Sequence, residues 1–224
     1  MATWISHLLI ADYFLERIPK ESHVDFIVGN LGPDSGVPNE DWSSFTPSTA
    51  TSHLRRIEIP NRHEKEIDFN GFYNKYLYHN SEGFYFYLGY YIHLFSDYYW
   101  GQLIYLPKYS KLQNEMNNNP QLIWEIKKDW YDLDFEYLNT YASFKAFSLF
   151  KEIKEYRNLY LDYFPENAFT KQILYIQDFY NKKKDLQGKE YKYLIKEEVE
   201  YYINVVCKEI ESIVSDKNLT IAST

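Results

Sequence analysis

The chain has 224 residues, 45% hydrophobic and 20% aromatic with 24 tyrosines, enough apolar mass for one sizeable core. Its formal net charge of −8 repels long polyanions, so DNA or RNA is not an expected partner. The single cysteine, Cys207, excludes an intramolecular disulfide, no apolar run reaches the roughly 18 residues of a membrane span, and Met1 to Lys20 lacks the pattern of a cleavable leader; the expected location is the cytoplasm.

In chain order, Trp4 to Arg17 has the apolar periodicity of an amphipathic helix and carries His7. Asp25 to Leu31 is a short apolar run that breaks into a Gly/Pro loop displaying Asp34, and Gly29 to Pro60 as a whole reads as long loops. The glycine spacing there matches neither the dinucleotide nor the nucleotide-triphosphate loop. His53 follows in a Ser/Thr-rich stretch. Residues 67–78 and 84–104 are predicted helices, Pro107 and Asn117 to Pro120 predicted breaks, and 121–127, 131–157, 166–184 and 189–215 resume helical patterns. No repeat or linker divides the chain, so the expectation is one all-α, multi-helix domain spanning residues 1–224.

The most informative segment is Gly89 to Gly101, where His93 and Asp97 stand four apart in an aromatic helix. At 3.6 residues per turn their side chains share one face, where an imidazole nitrogen and a carboxylate oxygen can meet on one ion. The alternative is that Asp97 simply accepts a hydrogen bond from His93. Gly89 and Gly101 flank the pair at helical spacing, each costing roughly 1 kcal/mol relative to alanine, which implies close approach of a helix or a ligand. Asp34 alone could be an ordinary turn aspartate. Taken together, His7, Asp34, His53, His93 and Asp97 offer three imidazoles and two carboxylates, a donor set suited to zinc or a similar divalent ion. His23, His63 and His79 have no carboxylate at ligand spacing and read as surface residues, and the run Lys182 to Lys184 reads as a solvated helix end.

On these residues the chain resembles the zinc-dependent phospholipase C family and its relatives, the zinc-dependent single-strand nucleases. The resemblance rests on His7, the Gly-Asn-Leu-Gly-Pro-Asp-Ser loop from Gly29 to Ser35, His53, and the Gly-Tyr-Tyr-Ile-His-x-x-x-Asp-Tyr helix from Gly89 to Tyr98, and it covers roughly residues 4 to 104. It implies that Asp34, His53, His93 and Asp97 hold one zinc, that His7 and Asp97 contribute to a second, and that Asp34 is also the general base. Secreted members use the amino group of a terminal tryptophan, whereas Trp4 lies inside this chain. The family's later His-x-x-x-Glu motif is missing, because no histidine follows His93. A third site is either absent or rebuilt from Asp129, Asp132 and Glu136, whose bland reading is as acidic residues at a helix start.

The implied activity is hydrolysis of a phospholipid or other small phosphodiester by a metal-bound hydroxide, with two ions roughly 3.5 to 4 Å apart stabilising the attacking and leaving oxygens. One rival is a non-catalytic helical protein with a structural metal site, and another is a metal-free helical interaction module.

Overall fold

The computed structural model describes residues 2–41, 43–58, 65–79, 82–141, 143–182, 184–217 and 219. The fold is all-α, with two short two-stranded hairpins as its only described sheets. Its centre is three helices, α1 (Trp4–Leu15), α2 (His23–Leu31) and α5 (Phe84–Trp100). α1 is apolar on nearly every side and 13 of the 17 residues of α5 are buried, the pattern of helices enclosed by others.

α2 and α5 cross at two glycines. A Cβ on Gly29 would lie 2.0 Å from the Phe86 carbonyl oxygen, and one on Gly89 would lie 2.2 Å from that of Phe26. The close approach expected at Gly89 is therefore that of another helix. Gly101 differs, since a Cβ there would meet nothing within 4 Å. It instead opens a π-helical turn, Gly101–Tyr105, that leads from α5 into α6 (Leu106–Asn118).

Around this centre lie α3 (Thr49–Ser52), α4 (Phe69–Phe72) with its own π-helical continuation Tyr73–Leu77, α7 (Leu122–Thr140), α8 (Lys145–Glu152), α9 (Ala168–Tyr180) and α10 (Lys196–Asp216). The hairpins pair β1 (Val37–Pro38) with β2 (Phe45–Thr46) and β3 (Arg55–Glu58) with β4 (Lys65–Ile67). Tyr202 of α10 reaches the core and donates a 2.9 Å hydrogen bond to the Ser96 carbonyl of α5. No described helix is long and apolar enough to cross a membrane.

Several boundaries differ from the sequence expectations. The apolar run before Asp34 is a helix, α2, since its burial against α5 outweighs its glycine content. Pro107 stands in the first turn of α6, where a missing N–H costs nothing, so it starts a helix. α7 runs unbroken through 128–130, while 153–167 is irregular. There Asn158 donates to the Leu161 and Phe164 carbonyls at 2.6 and 2.8 Å, and Gln177 donates to those of Phe150 and Ile153 at 2.9 and 2.8 Å. These side chains satisfy carbonyls that a helix would otherwise bond. Residues 189–195 are also non-helical, and α10 begins only at Lys196.

Candidate metal centre

Five side chains converge from four segments. His7 projects from the second turn of α1, Asp34 closes the 3-10 turn Gly32–Asp34 that caps α2, His53 follows α3, and His93 and Asp97 share one face of α5. Their side chains are between 0 and 8% exposed, with Asp34 the most accessible.

The inner contacts form a triangle. His53 Nε2 is 3.3 Å from His93 Nε2 and 3.2 Å from Asp97 Oδ2, and His93 Nε2 is 3.6 Å from Asp97 Oδ2. Asp34 Oδ1 lies 3.4 Å from one corner of it, His53 Nε2. Donors about 2.0 to 2.2 Å from a tetrahedral ion stand about 3.3 to 3.6 Å from one another, so these separations are those of a zinc-sized coordination shell. Asp34, His53 and His93 form one set able to share an ion, and His7, His93 and Asp97 form another.

Local structure aims the nitrogens inward. His93 Nδ1 lies 2.7 Å from the Asn30 carbonyl and His53 Nδ1 lies 3.1 Å from that of Thr49. Each carbonyl can only accept, so each Nδ1 carries the proton and each Nε2 faces the cluster. The Asn30 carbonyl also explains why α2 and α5 must pack so closely. Tyr90 donates to the Ser52 carbonyl and so ties the residue before His53 to α5.

Asp97 divides its oxygens. Oδ2 belongs to the triangle, while Oδ1 accepts from the Ala2 N–H at 2.8 Å and lies 3.5 Å from His7 Nε2. The His7 ring stacks on that of His93, centroids 3.8 Å apart and planes within 9°. Neither His7 nitrogen has a hydrogen-bond partner, nor does Asp97 Oδ2, although all three atoms are buried. Distances of 3.2 to 3.6 Å at Oδ2 bring imidazoles close without aligning a bond. Buried polar atoms left this way cost about 1–3 kcal/mol each, and a bound cation would satisfy Asp97 Oδ2 and the one His7 nitrogen that carries no proton.

Charge follows position. Burial and the adjacent His93 push His7 down to about 4, leaving it a neutral imidazole at neutral pH. Burial also opposes charge on His53, but Asp34 and Asp97 outweigh it and raise that group to about 9. Burial raises the two carboxyls, but nearby positive charge and hydrogen bonds outweigh it: Asp34, beside His53 and His93, lies below its ordinary value and Asp97 well below. An imidazolium at His53 thus sits between two carboxylates, Asp34 and Asp97.

All five residues singled out from the sequence are thus brought together. The acidic residues of α7 are not part of the cluster. Asp129 accepts from the Lys192 and Tyr193 N–H groups, both at 2.8 Å, and pairs with Lys189 Nζ at 3.0 Å. Asp132 pairs with Lys184 and Lys189, and Glu136 with the Tyr191 hydroxyl and Lys196. They lie in the middle of α7, neither rebuilding a third site nor starting a helix, and hold the 184–196 segment against it. Lys184 is accordingly partnered. His23 is buried, its Nε2 2.9 Å from the Ile18 carbonyl, while His79 is exposed and His63 falls outside the described residues.

Asn30 had no sequence signal as a site residue, because it contributes through its backbone carbonyl. Two shallow surface depressions, one lined by Asp12, Glu16 and Lys145 and one by Lys154, Arg157 and Glu166, lie away from the cluster. In comparisons with known proteins, no family model, no curated protein and no solved structure matches this chain.

Proposed function

We propose that the cluster binds one or two divalent ions, zinc by its donor set, and that the chain is a metal-dependent phosphoester hydrolase of the zinc-dependent phospholipase C type. The observation that carries this reading is the triangle of His53, His93 and Asp97 at coordination-shell spacing, beside buried and unpartnered atoms of His7 and Asp97. Asp34, His53, His93 and Asp97 would hold the first ion, and His7 with Asp97 Oδ1 a second. When bound, such an ion lowers the pKa of a coordinated water and polarises a phosphoryl oxygen.

The chain's own residues supply the rest. Asp34, the most accessible donor, is the candidate general base toward a small phosphodiester or a phospholipid head group. Three neutral imidazoles and two carboxylates contribute −2, so two divalent ions leave a local +2 that suits an anionic phosphoester despite the acidic chain. The buried Cys207, its thiol pushed up to about 12 by burial, takes no part, and a cytoplasmic setting suits it.

A second reading, a structural metal staple, is favoured by the near-complete burial of the donors. Metal content by plasma mass spectrometry, followed by hydrolysis of a chromogenic phosphodiester, tests both. Bound zinc with metal-dependent turnover that His93→Ala abolishes supports the hydrolase. Bound zinc with no turnover on any phosphodiester supports the staple, and turnover by metal-depleted His93→Ala would end the proposal.

A further inference from the structure

We infer that Asp134 of α7 is a positioning residue for His7, acting through Thr3 at the start of α1. The inference rests on the metal-site reading and deepens it. It begins from the His7 ring, which is fully buried, stacks on His93 and lies 3.5 Å from Asp97 Oδ1, yet has no hydrogen bond at either nitrogen to orient it.

The start of α1 is fixed by one residue. The Thr3 carbonyl accepts the His7 N–H at 3.1 Å, and the Thr3 side-chain oxygen accepts the Ser6 N–H at 3.3 Å, capping the helix. The same hydroxyl donates its proton to Asp134 Oδ1 at 2.6 Å, while the Tyr180 hydroxyl of α9 donates to Asp134 Oδ2 at 2.5 Å. Asp134 is buried and both its oxygens are engaged, so it grips α1 and α9 together. Trp4, the next residue, is wedged edge-on against Tyr175, Phe179 and Tyr180, which keeps α1 from sliding along its axis.

The carboxy-terminal half, which carries none of the ligands, thereby sets where His7 stands relative to Asp97 and His93. A ligand whose ring lacks its own hydrogen bond depends on such outer support for its geometry, and removing outer support costs about 10–100-fold in metal affinity.

The experiment is a zinc titration against a chromophoric chelator, with Asp134→Leu and Asp134→Asn each placed in the wild-type and the His7→Ala background. The expected result is a 10–100-fold loss for Asp134→Leu in the wild-type background, no further loss in His7→Ala, and near wild-type affinity for Asp134→Asn, which can still accept from Thr3. An equal loss in both backgrounds, or no loss, overturns the inference. Should Asp134→Leu fail to fold, the isosteric Thr3→Val replaces it under the same criteria. Should the wild type bind no zinc, the metal reading falls and the inference is read in the metal-free protein. The carbon-bound ring protons of His7, shifted by its stack on His93, then move in Asp134→Leu or Thr3→Val and return in Asp134→Asn; resonances that stay in place overturn it.

Discussion

Replacing Gly89 by alanine separates packing from helix propensity, because the two predict opposite signs. Alanine is the better helix former by about 1 kcal/mol, so an isolated α5 would gain. In the folded chain the new Cβ would stand 2.2 Å from the Phe26 carbonyl oxygen and 2.7 Å from the Asn30 nitrogen, where ordinary contact begins at 3.4 Å. Both neighbours are backbone, so no rotamer change relieves the clash and α2 must back away by about 1.2 Å, the difference between 3.4 and 2.2 Å. Overpacking of this kind costs typically 1–3 kcal/mol, with a case confined by backbone at the upper end. Set against the propensity gain, the net loss is about 2 kcal/mol, which lowers Tm by about 4–8 °C for a chain of this size. Gly101→Ala is the control: its φ of −55° is helical and its surroundings are open, so Tm should rise by about 2–4 °C. Thermal unfolding followed by circular dichroism on metal-free proteins measures both. Zinc affinity should fall in Gly89→Ala, since α2 carries the Asn30 carbonyl behind His93 and leads to Asp34. A Gly89→Ala protein that melts at or above the wild type refutes the reasoning.

Other expectations follow from charge. Because His53 is raised to about 9 in the metal-free site, zinc must displace its proton at neutral pH. Affinity should rise about tenfold per pH unit towards pH 9 and then level, with about one proton released at pH 7, as measured by calorimetry in buffers of different ionisation enthalpy; a flat profile from pH 6 to 9 excludes this. In the metal-free fold, the His53 contribution to stability is complete below about pH 6.5 and fades as pH rises through about 9. Asp134 has the opposite consequence: burial raises it from 3.8 to about 7, so its ionisation opposes folding increasingly from pH 4 to pH 7. Asp134→Asn should therefore be more stable than the wild type at pH 8, by on the order of a few kcal/mol, with the difference shrinking at pH 4; equal melting differences at the two pH values would count against it. Lys189→Met should cost about 1–3 kcal/mol in urea unfolding and hasten proteolysis within 184–195, since Asp129 and Asp132 lose a shared cation. Unchanged stability and cleavage would show that the lysine is dispensable.

The ligand geometry was legible where it depends on spacing. His93 and Asp97 meet because helical periodicity alone brings them together, whereas Asp34, in a Gly/Pro turn that by itself reads as an ordinary turn, stood out only in company with the other four. That His7 stacks on His93 follows from the packing of α1 on α5, which no local pattern encodes. The acidic residues of α7 misled for a related reason: their helical spacing is real, but their partners Lys184 and Lys189 come from a segment about 50 residues later whose path has no periodic signature. Irregular stretches such as 153–167 are held by single side chains, Asn158 and Gln177, whose capacity to bond several carbonyls is invisible until the fold is known.

The π-helical turn at Gly101–Tyr105 gives the chain a break in phase just beyond Asp97. Each residue of an α-helix advances about 100° around the axis, so the extra residue housed in the wider turn offsets everything downstream by that angle. Deleting one residue there would swing Leu106–Asn118 about a quarter-turn and pull Lys108 from its 2.8 Å pairing with Glu198 of α10. Point changes at the exposed Gln102 carry no such penalty. Along this stretch the number of residues is a stricter constraint than their identity.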